Sequence, residues 1–222
     1  MQIQIDKLIR SKRRTIALIV EHDGTFTVRA PLRVPRAEID SFIQQKAHWI
    51  TRTREKIKSA QPALKKQYAD GETFLFLGSL FELKLIERQT PAVQFNDGFT
   101  LSQSARERGE AYFVRWYKER AFKIISERVR EYSQKHGFTP GQVKISSAKT
   151  RWGSCSSTGT LNFTWRLVMA PLEVIDYVVA HELAHLRVKN HSRKFWKAVE
   201  TICPDYKRHR KWLRENGEKL SL

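Results

Sequence analysis

Three of the chain's seven histidines fall within eleven consecutive positions: His181, His185 and His191. In His181-Glu182-Leu183-Ala184-His185 the two imidazoles are four residues apart. On a helix they therefore stand one turn apart on one face and can hold the same cation. Glu182, beside them, is the acid/base group. This is the HExxH zinc signature, in which the metal acidifies a water and the glutamate takes its proton. A catalytic zinc keeps three protein ligands and one open position, so a further ligand is required. His191 is the first candidate, because Val188-Lys189-Asn190 gives the chain room to leave the helix and Asn tolerates a left-handed turn. Glu200 is the rival, since some zinc peptidases take a glutamate from a later helix. One Zn2+ ion is the expected cofactor.

The elements that must position these residues are legible around them. Pro171 suits the first turn of a helix, and Leu172, Val174, Ile175, Val178, Val179 and Leu183 make that helix apolar nearly all round, which predicts the most buried helix of the chain. A low-dielectric wall would strengthen the action of a metal and of Glu182 on a reacting group. After His191, Ser192 is placed to cap a second helix with Phe195, Trp196, Val199 and Ile202 on its buried side. Asp205 precedes a last helix, Tyr206 to Asn216, with the basic run Lys207, Arg208, Arg210, Lys211 and Arg214 before Gly217; a second reading has Asp205 orienting a ligand histidine. Upstream, Val143 to Ser147 and Thr160 to Trp165 read as strands flanking Arg151-Trp152-Gly153-Ser154-Cys155-Ser156-Ser157-Thr158-Gly159. That segment reads two ways. Its small residues suit a backbone that receives an extended substrate by strand addition, or a hairpin whose Trp152 plugs the core. Arg151, Tyr177 and Tyr206 are candidates for stabilising an oxyanion. Cys155 and Cys203 fit no C-x-x-C pattern and read as structural thiols.

The first hundred residues read as strands with one helix. Ile3 and Ile5, Thr15 to Val20, and Phe26-Val28-Ala30 after the Asp23-Gly24 turn have strand patterning. Arg36 to Ser59 has helical spacing at Ile39, Phe42, Ile43, Ala47, Ile50 and Ile57. Thr73 to Leu77, Leu80 to Ile86, Val93 to Phe95 and Phe99 to Leu101 follow, separated by Gly78-Ser79 and Asn96-Asp97-Gly98 turns. Ser104-Ala105-Arg106-Glu107 has the form of a capping box opening a long helix through Phe113, Trp116, Tyr117, Ile124, Ile125 and Tyr132 to Gly137. The expected class is α+β: a β-rich N-terminal module over residues 1–104 and a zinc-hydrolase domain over 105–222 that carries the HExxH helix.

The formal charge of +18, with a pI near 10.2, points to an anionic partner or substrate as a second possibility beside a peptide or protein substrate. No apolar run is long enough to span a membrane, and the first residues lack the basic flank and apolar block of a signal peptide, so a soluble, cytoplasmic protein is expected. Two further readings follow from chemistry. A zinc-activated water attacks a phosphoryl centre as well as a carbonyl, which allows a nucleotide-hydrolysing metalloenzyme, although no Gly-rich phosphate loop is present. The third reading is a basic nucleic-acid-binding protein with structural zinc.

Arg-Trp-Gly-Ser-Cys at 151–155, Asp-Tyr-Val-Val at 176–179, His-Glu-Leu-Ala-His at 181–185 and Asn-His-Ser-x-x-Phe-Trp at 190–196 together resemble the YgjP-like metallopeptidase family, which is similar to the SprT-like and WLM zinc proteases. The resemblance is specific over about residues 143–215. It implies a minimal gluzincin-type zinc domain (a small sheet, an active-site helix and flanking helices), with His181, His185 and His191 as zinc ligands, Glu182 as base and a peptide as substrate, and with a zinc-dependent nucleoside triphosphate pyrophosphohydrolase of the UTP type as the alternative activity. The longer metzincin signature has a Gly where this chain has Val188, and no Met-turn is evident, so a metzincin is not expected.

Overall fold

The computed structural model describes residues 3–21, 23–59 and 66–222. Among these residues the protein is mixed α+β, with three small sheets and six α-helices. None of the helices is long and apolar enough to cross a membrane. The chain forms two compact units, Met1–Leu64 and Lys65–Leu222.

In the first unit β1 (Lys7–Ser11) runs parallel to β3 (Phe26–Pro31), and β2 (Ala17–Val20) pairs antiparallel on the other side of β3. Alternation along β3 puts Phe26, Val28 and Ala30 on one face, where each is fully buried against Ile39, Ile43 and Ile50. The first strand begins two residues beyond the Ile3–Ile5 pattern. Those two side chains still pack on the core, but the Asp6 carboxylate that follows accepts a hydrogen bond from the Phe26 amide and pairs with Arg54, so ladder pairing begins only at Lys7. The single helix expected over 36–59 is two, α1 (Arg36–Gln45) and α2 (Ala47–Ser59). Between them Lys46 has a ψ of 8°, and its N–H is shared between the Phe42 and Ile43 carbonyls.

The second unit opens with the hairpin of β4 (Thr73–Phe76) and β5 (Ser79–Ile86), turned by Leu77 and Gly78 at φ 47° and 83°. Two consecutive positive φ angles match the right-handed twist of the strands they join. β7 (Phe99–Ser102) runs parallel to β5, and β6 (Val93–Phe95) pairs antiparallel with β7. Against this sheet lies α3 (Gly109–His136), whose Phe113, Trp116 and Tyr117 interlock with Phe74, Phe76 and Phe99. The aromatic stripe is core. It also places the boundary expected near residue 104 inside this unit, because β4, β5 and β7 bury their apolar faces in the same core as the helices that follow.

The capping box at 104–107 does not form. Gln103–Arg108 is a 3-10 turn, the Ser104 hydroxyl bonds to that of Ser102, and α3 starts at Gly109, where a Cβ would meet the Tyr68 ring at 2.4 Å. The ring occupies the space an ordinary residue would need. The far end is as expected, with Gly137 at φ 65° closing the helix.

Three short strands, two 3-10 turns and three helices complete the unit. β8 (Val143–Ser146) and β9 (Gly153–Cys155) flank β10 (Leu161–Thr164), parallel and antiparallel respectively, which leaves β9 on an edge. The 3-10 turn Trp165–Met169 leads into α4 (Leu172–Arg187), followed by α5 (Arg193–Ile202) and α6 (Tyr206–Asn216). The β4–β5 hairpin tip fixes the start of α4. The Leu77 and Gly78 amides donate to the Val168 and Met169 carbonyls, and a Cβ on Gly78 would sit 2.7 Å from the Pro171 ring.

One ion pair ties α3 to α4. Arg128 donates to both carboxylate oxygens of Asp176, at 2.6 and 2.8 Å, with the two side chains 20% and 12% exposed. Removing Asp176 from this bidentate pair leaves the largely buried Arg128 guanidinium with only the exposed Glu131 as counter-charge. Asp176→Asn should lower unfolding stability by about 2–4 kcal/mol, read as a lower urea midpoint at unchanged slope. Arg115→Gln, which breaks the open Arg115–Glu119 pair on the same helix, should change it by less than about 0.5 kcal/mol.

Candidate metal centre and catalytic cleft

Ten of the sixteen residues of α4 are buried, more than on any other described helix, and this burial shapes the site. His181 and His185, one turn apart, have ring centroids 5.0 Å apart. The helix ends at Val188, whose extended backbone carries the chain away before it returns with His191. The His191 ring lies 5.1 and 4.8 Å from the other two. One nitrogen from each of the three histidines falls within a 4.8 Å set, the one grouping among the described residues suited to a metal ion.

Phe195 of α5 braces all three imidazoles, with centroids 4.9, 4.4 and 4.8 Å from those of His181, His185 and His191. Trp196 stacks on His191 from the next position. The Val188 carbonyl lies 3.0 Å from Nδ1 of His185, which fixes Nδ1 as the protonated nitrogen and leaves Nε2 as a free base.

The donor set fits zinc. The Nε2 atoms of His181 and His191 approach to 3.1 Å, and a tetrahedral zinc with bonds of 2.0–2.1 Å separates its nitrogens by about 3.3 Å. Metal ligation requires neutral imidazoles. Burial first, and then the neighbouring His185, His191 and Arg210, hold the His181 pKa down to about 3, and burial lowers that of His185 as well.

Glu182 points from the same helix turn into a cleft of about 330 Å³. It is only 4% exposed, and its Oε2 has no hydrogen-bond partner among the described residues. Burial lifts its pKa to about 7 against the opposing pull of Arg151. Over it lies β9, so close that a Cβ on Gly153 would stand 2.6 Å from Oε1. The 151–159 segment therefore brings backbone against the Glu182 carboxyl, and Trp152 lines the cleft beside it.

The remaining sequence candidates separate clearly. Glu200 is well exposed on α5, 3.9 Å from Lys207, and lies outside the histidine grouping. Tyr177 lines the cleft, and burial pushes its hydroxyl up to about 12, so it stays protonated. Tyr206 is buried with its ring stacked on Trp196, while Arg151 is exposed. Asp205 precedes α6 without a side-chain capping bond, and it is the Val188 carbonyl that meets His185. Sequence reasoning did not single out Arg210, which lines the cleft beside His181. Nothing in the basic run around it marks that position except its place one turn after the buried Tyr206.

No curated protein matches the chain in sequence. Among solved structures, it aligns with the metallopeptidase zymogen abylysin of Pyrococcus abyssi at 23% identity and a TM-score of 0.38, over 41% of this chain and 93% of that one. The zymogen of jannalysin from Methanocaldococcus jannaschii aligns at 24% identity and a TM-score of 0.35, over 41% and 95%. The model of the YgjP-like metallopeptidase domain matches residues 14–216, nearly the full length, and by that match this chain belongs to the YgjP-like metallopeptidase family.

Proposed function

We propose that this enzyme, a zinc metallohydrolase by family, hydrolyses peptide bonds with His181, His185 and His191 as the ligands of one zinc ion and Glu182 as general base. The observation that carries the reading is the carboxyl of Glu182, buried and with one oxygen unpartnered, on the same helical turn as the converging imidazoles. Bound there, zinc supplies a water of near-neutral pKa and Lewis-acid polarisation of the substrate carbonyl. Glu182 takes the proton of the attacking water and delivers it to the leaving nitrogen, a role for which a carboxyl tuned towards neutrality is suited. The Tyr177 hydroxyl, kept protonated by burial, donates to the developing oxyanion. β9 is an edge strand with its backbone beside Glu182, and an extended substrate pairs with it.

Replacing the base by its amide keeps its shape, so Glu182→Gln should bind zinc as the wild type does while peptide turnover falls roughly 10²- to 10⁴-fold. Metal analysis beside a peptide-hydrolysis assay checks this, and full activity would remove Glu182 from its role.

The third ligand is decided by zinc titration of two variants. His191→Ala should weaken zinc binding more than roughly a hundredfold, and Glu200→Ala should leave it unchanged; the reverse pattern would assign Glu200.

Gly153→Ala forces a methyl against the Glu182 carboxylate. Because displacing a reacting group by about 1 Å costs roughly 10² in rate, kcat should fall on that order with zinc affinity kept. An unaltered kcat would mean that the close approach does not set the position of the base.

A further inference from the structure

We propose that Arg210 is a specificity residue that binds a carboxylate of the substrate in the cleft, a reading that rests on the peptidase function proposed above. α6 buries Tyr206, His209 and Leu213, and this rotation brings Arg210 and Arg214, one turn apart, to the cleft on either side of Leu213. The Arg210 guanidinium lies 4.6 Å from the centre of the Trp196 ring. That ring is itself stacked against Tyr206 at 16° and His191 at 30°. Arg210 is itself exposed, and this contact sets its guanidinium against a fixed aromatic ring before any ligand arrives, which reduces the entropy lost on binding.

Some arginines of the protein are paired with acids, and others, such as Arg120 and Arg166, lie over aromatic rings away from the cleft. Arg128 has Asp176 and Glu131, Arg115 has Glu119, and Arg54 has Asp6. Arg210 forms no ion pair with any described residue, and Arg214 reaches only the exposed Glu215, at 4.0 Å. Among the residues lining the cleft the one acid is Glu182, and neither arginine pairs with it. The charge of Arg210 acts on His181 and Tyr177, which places it close to the reacting centre.

A stacked guanidinium with unpaired donors in a partly apolar cleft suits a bidentate carboxylate, and the walls of Trp152, Val178 and Leu213 suit the short methylene stem that carries one. A lysine or arginine side chain entering the same space meets like charge. Two sources supply the chemistry: an aspartate or glutamate beside the scissile bond, or the free carboxyl terminus of the substrate.

The test uses the zinc-loaded full chain and internally quenched peptides in two sets. One set has blocked termini and a single varied position carrying Glu, Gln or Lys; the other compares free and amidated C-termini on one sequence. The wild type should favour the carboxylate over its amide by roughly ten- to a hundredfold in kcat/KM. Preference in the first set identifies a side chain as the source, and preference in the second a terminus. The ratio should collapse to about threefold or less in Arg210→Gln, recover in part in Arg210→Lys, and turn towards Lys-bearing peptides in Arg210→Glu. Reading a ratio within each variant separates specificity from any loss of folded enzyme. Peptide hydrolysis without a carboxylate preference, or a preference that survives Arg210→Gln, overturns this proposal alone. Release of pyrophosphate or phosphate from nucleoside triphosphates with no peptide cleaved overturns the peptidase reading and this proposal together.

Discussion

A carboxyl group sealed into an apolar helix is the constraint on which this structure turns. Glu182 has Leu183 and Ala184 beside it and Val178 and Val179 a turn before, all buried. Removing an ionised carboxylate from water costs several kcal/mol unless something opposite in charge or rich in donors replaces the solvent. The fold supplies little of that replacement. One oxygen lacks a partner, Gly153 offers closeness without a side chain, and Arg151 acts from the surface. Strain of this kind persists where the rest of the structure over-determines it. In the proposed site the missing compensation is the cation that the three imidazoles are arranged to hold.

That over-determination comes from elements with no chemistry of their own. The hairpin tip at Leu77-Gly78 hydrogen-bonds to the turn before α4 and packs on Pro171, which sets where the helix begins. Arg128 clamps Asp176 on the next turn, which sets its rotation against α3. Phe195, fully buried, then fills the space among the histidines so that their rings cannot turn into it. The strand module over residues 73–102, with no reactive side chain in the cleft, acts on the site through the position of α4.

This division explains what could be read from residue order. His181, Glu182 and His185 carry their geometry within one helical turn, so spacing alone places them together, and β3, β5 and β10 follow from alternation and turn residues. Contacts set by packing between distant segments leave no such trace. The start of α3 moved because Tyr68, forty-one residues earlier, lies against Gly109. Gly153 belongs to a segment that reads either as a hairpin turn or as a backbone that receives substrate, and its approach to Glu182 is seen only in the folded chain. Arg210 is one of five cations in a run of eight residues, and only the burial of Tyr206, His209 and Leu213 shows which of them face the cleft.

The same logic bears on the charge of the whole chain. A formal +18 suggests polyanions when treated as a sum, because clustered cations bind phosphate chains irrespective of sequence. Many of the cations on the second unit's helices are committed locally: Arg128 to Asp176, Arg187 to the carbonyls of His136 and Gly137, and Lys207 towards Glu200. Arg210 differs in place: like Arg166 and Arg187 it lies over an aromatic ring, but it does so at the mouth of the cleft and without an ion-pair partner among the described residues. A cation held by stacking beside a buried base discriminates among substrates at short range, where Coulomb energy changes steeply with position. In this protein the charge with the clearest consequence for function is therefore one well-placed guanidinium rather than the total.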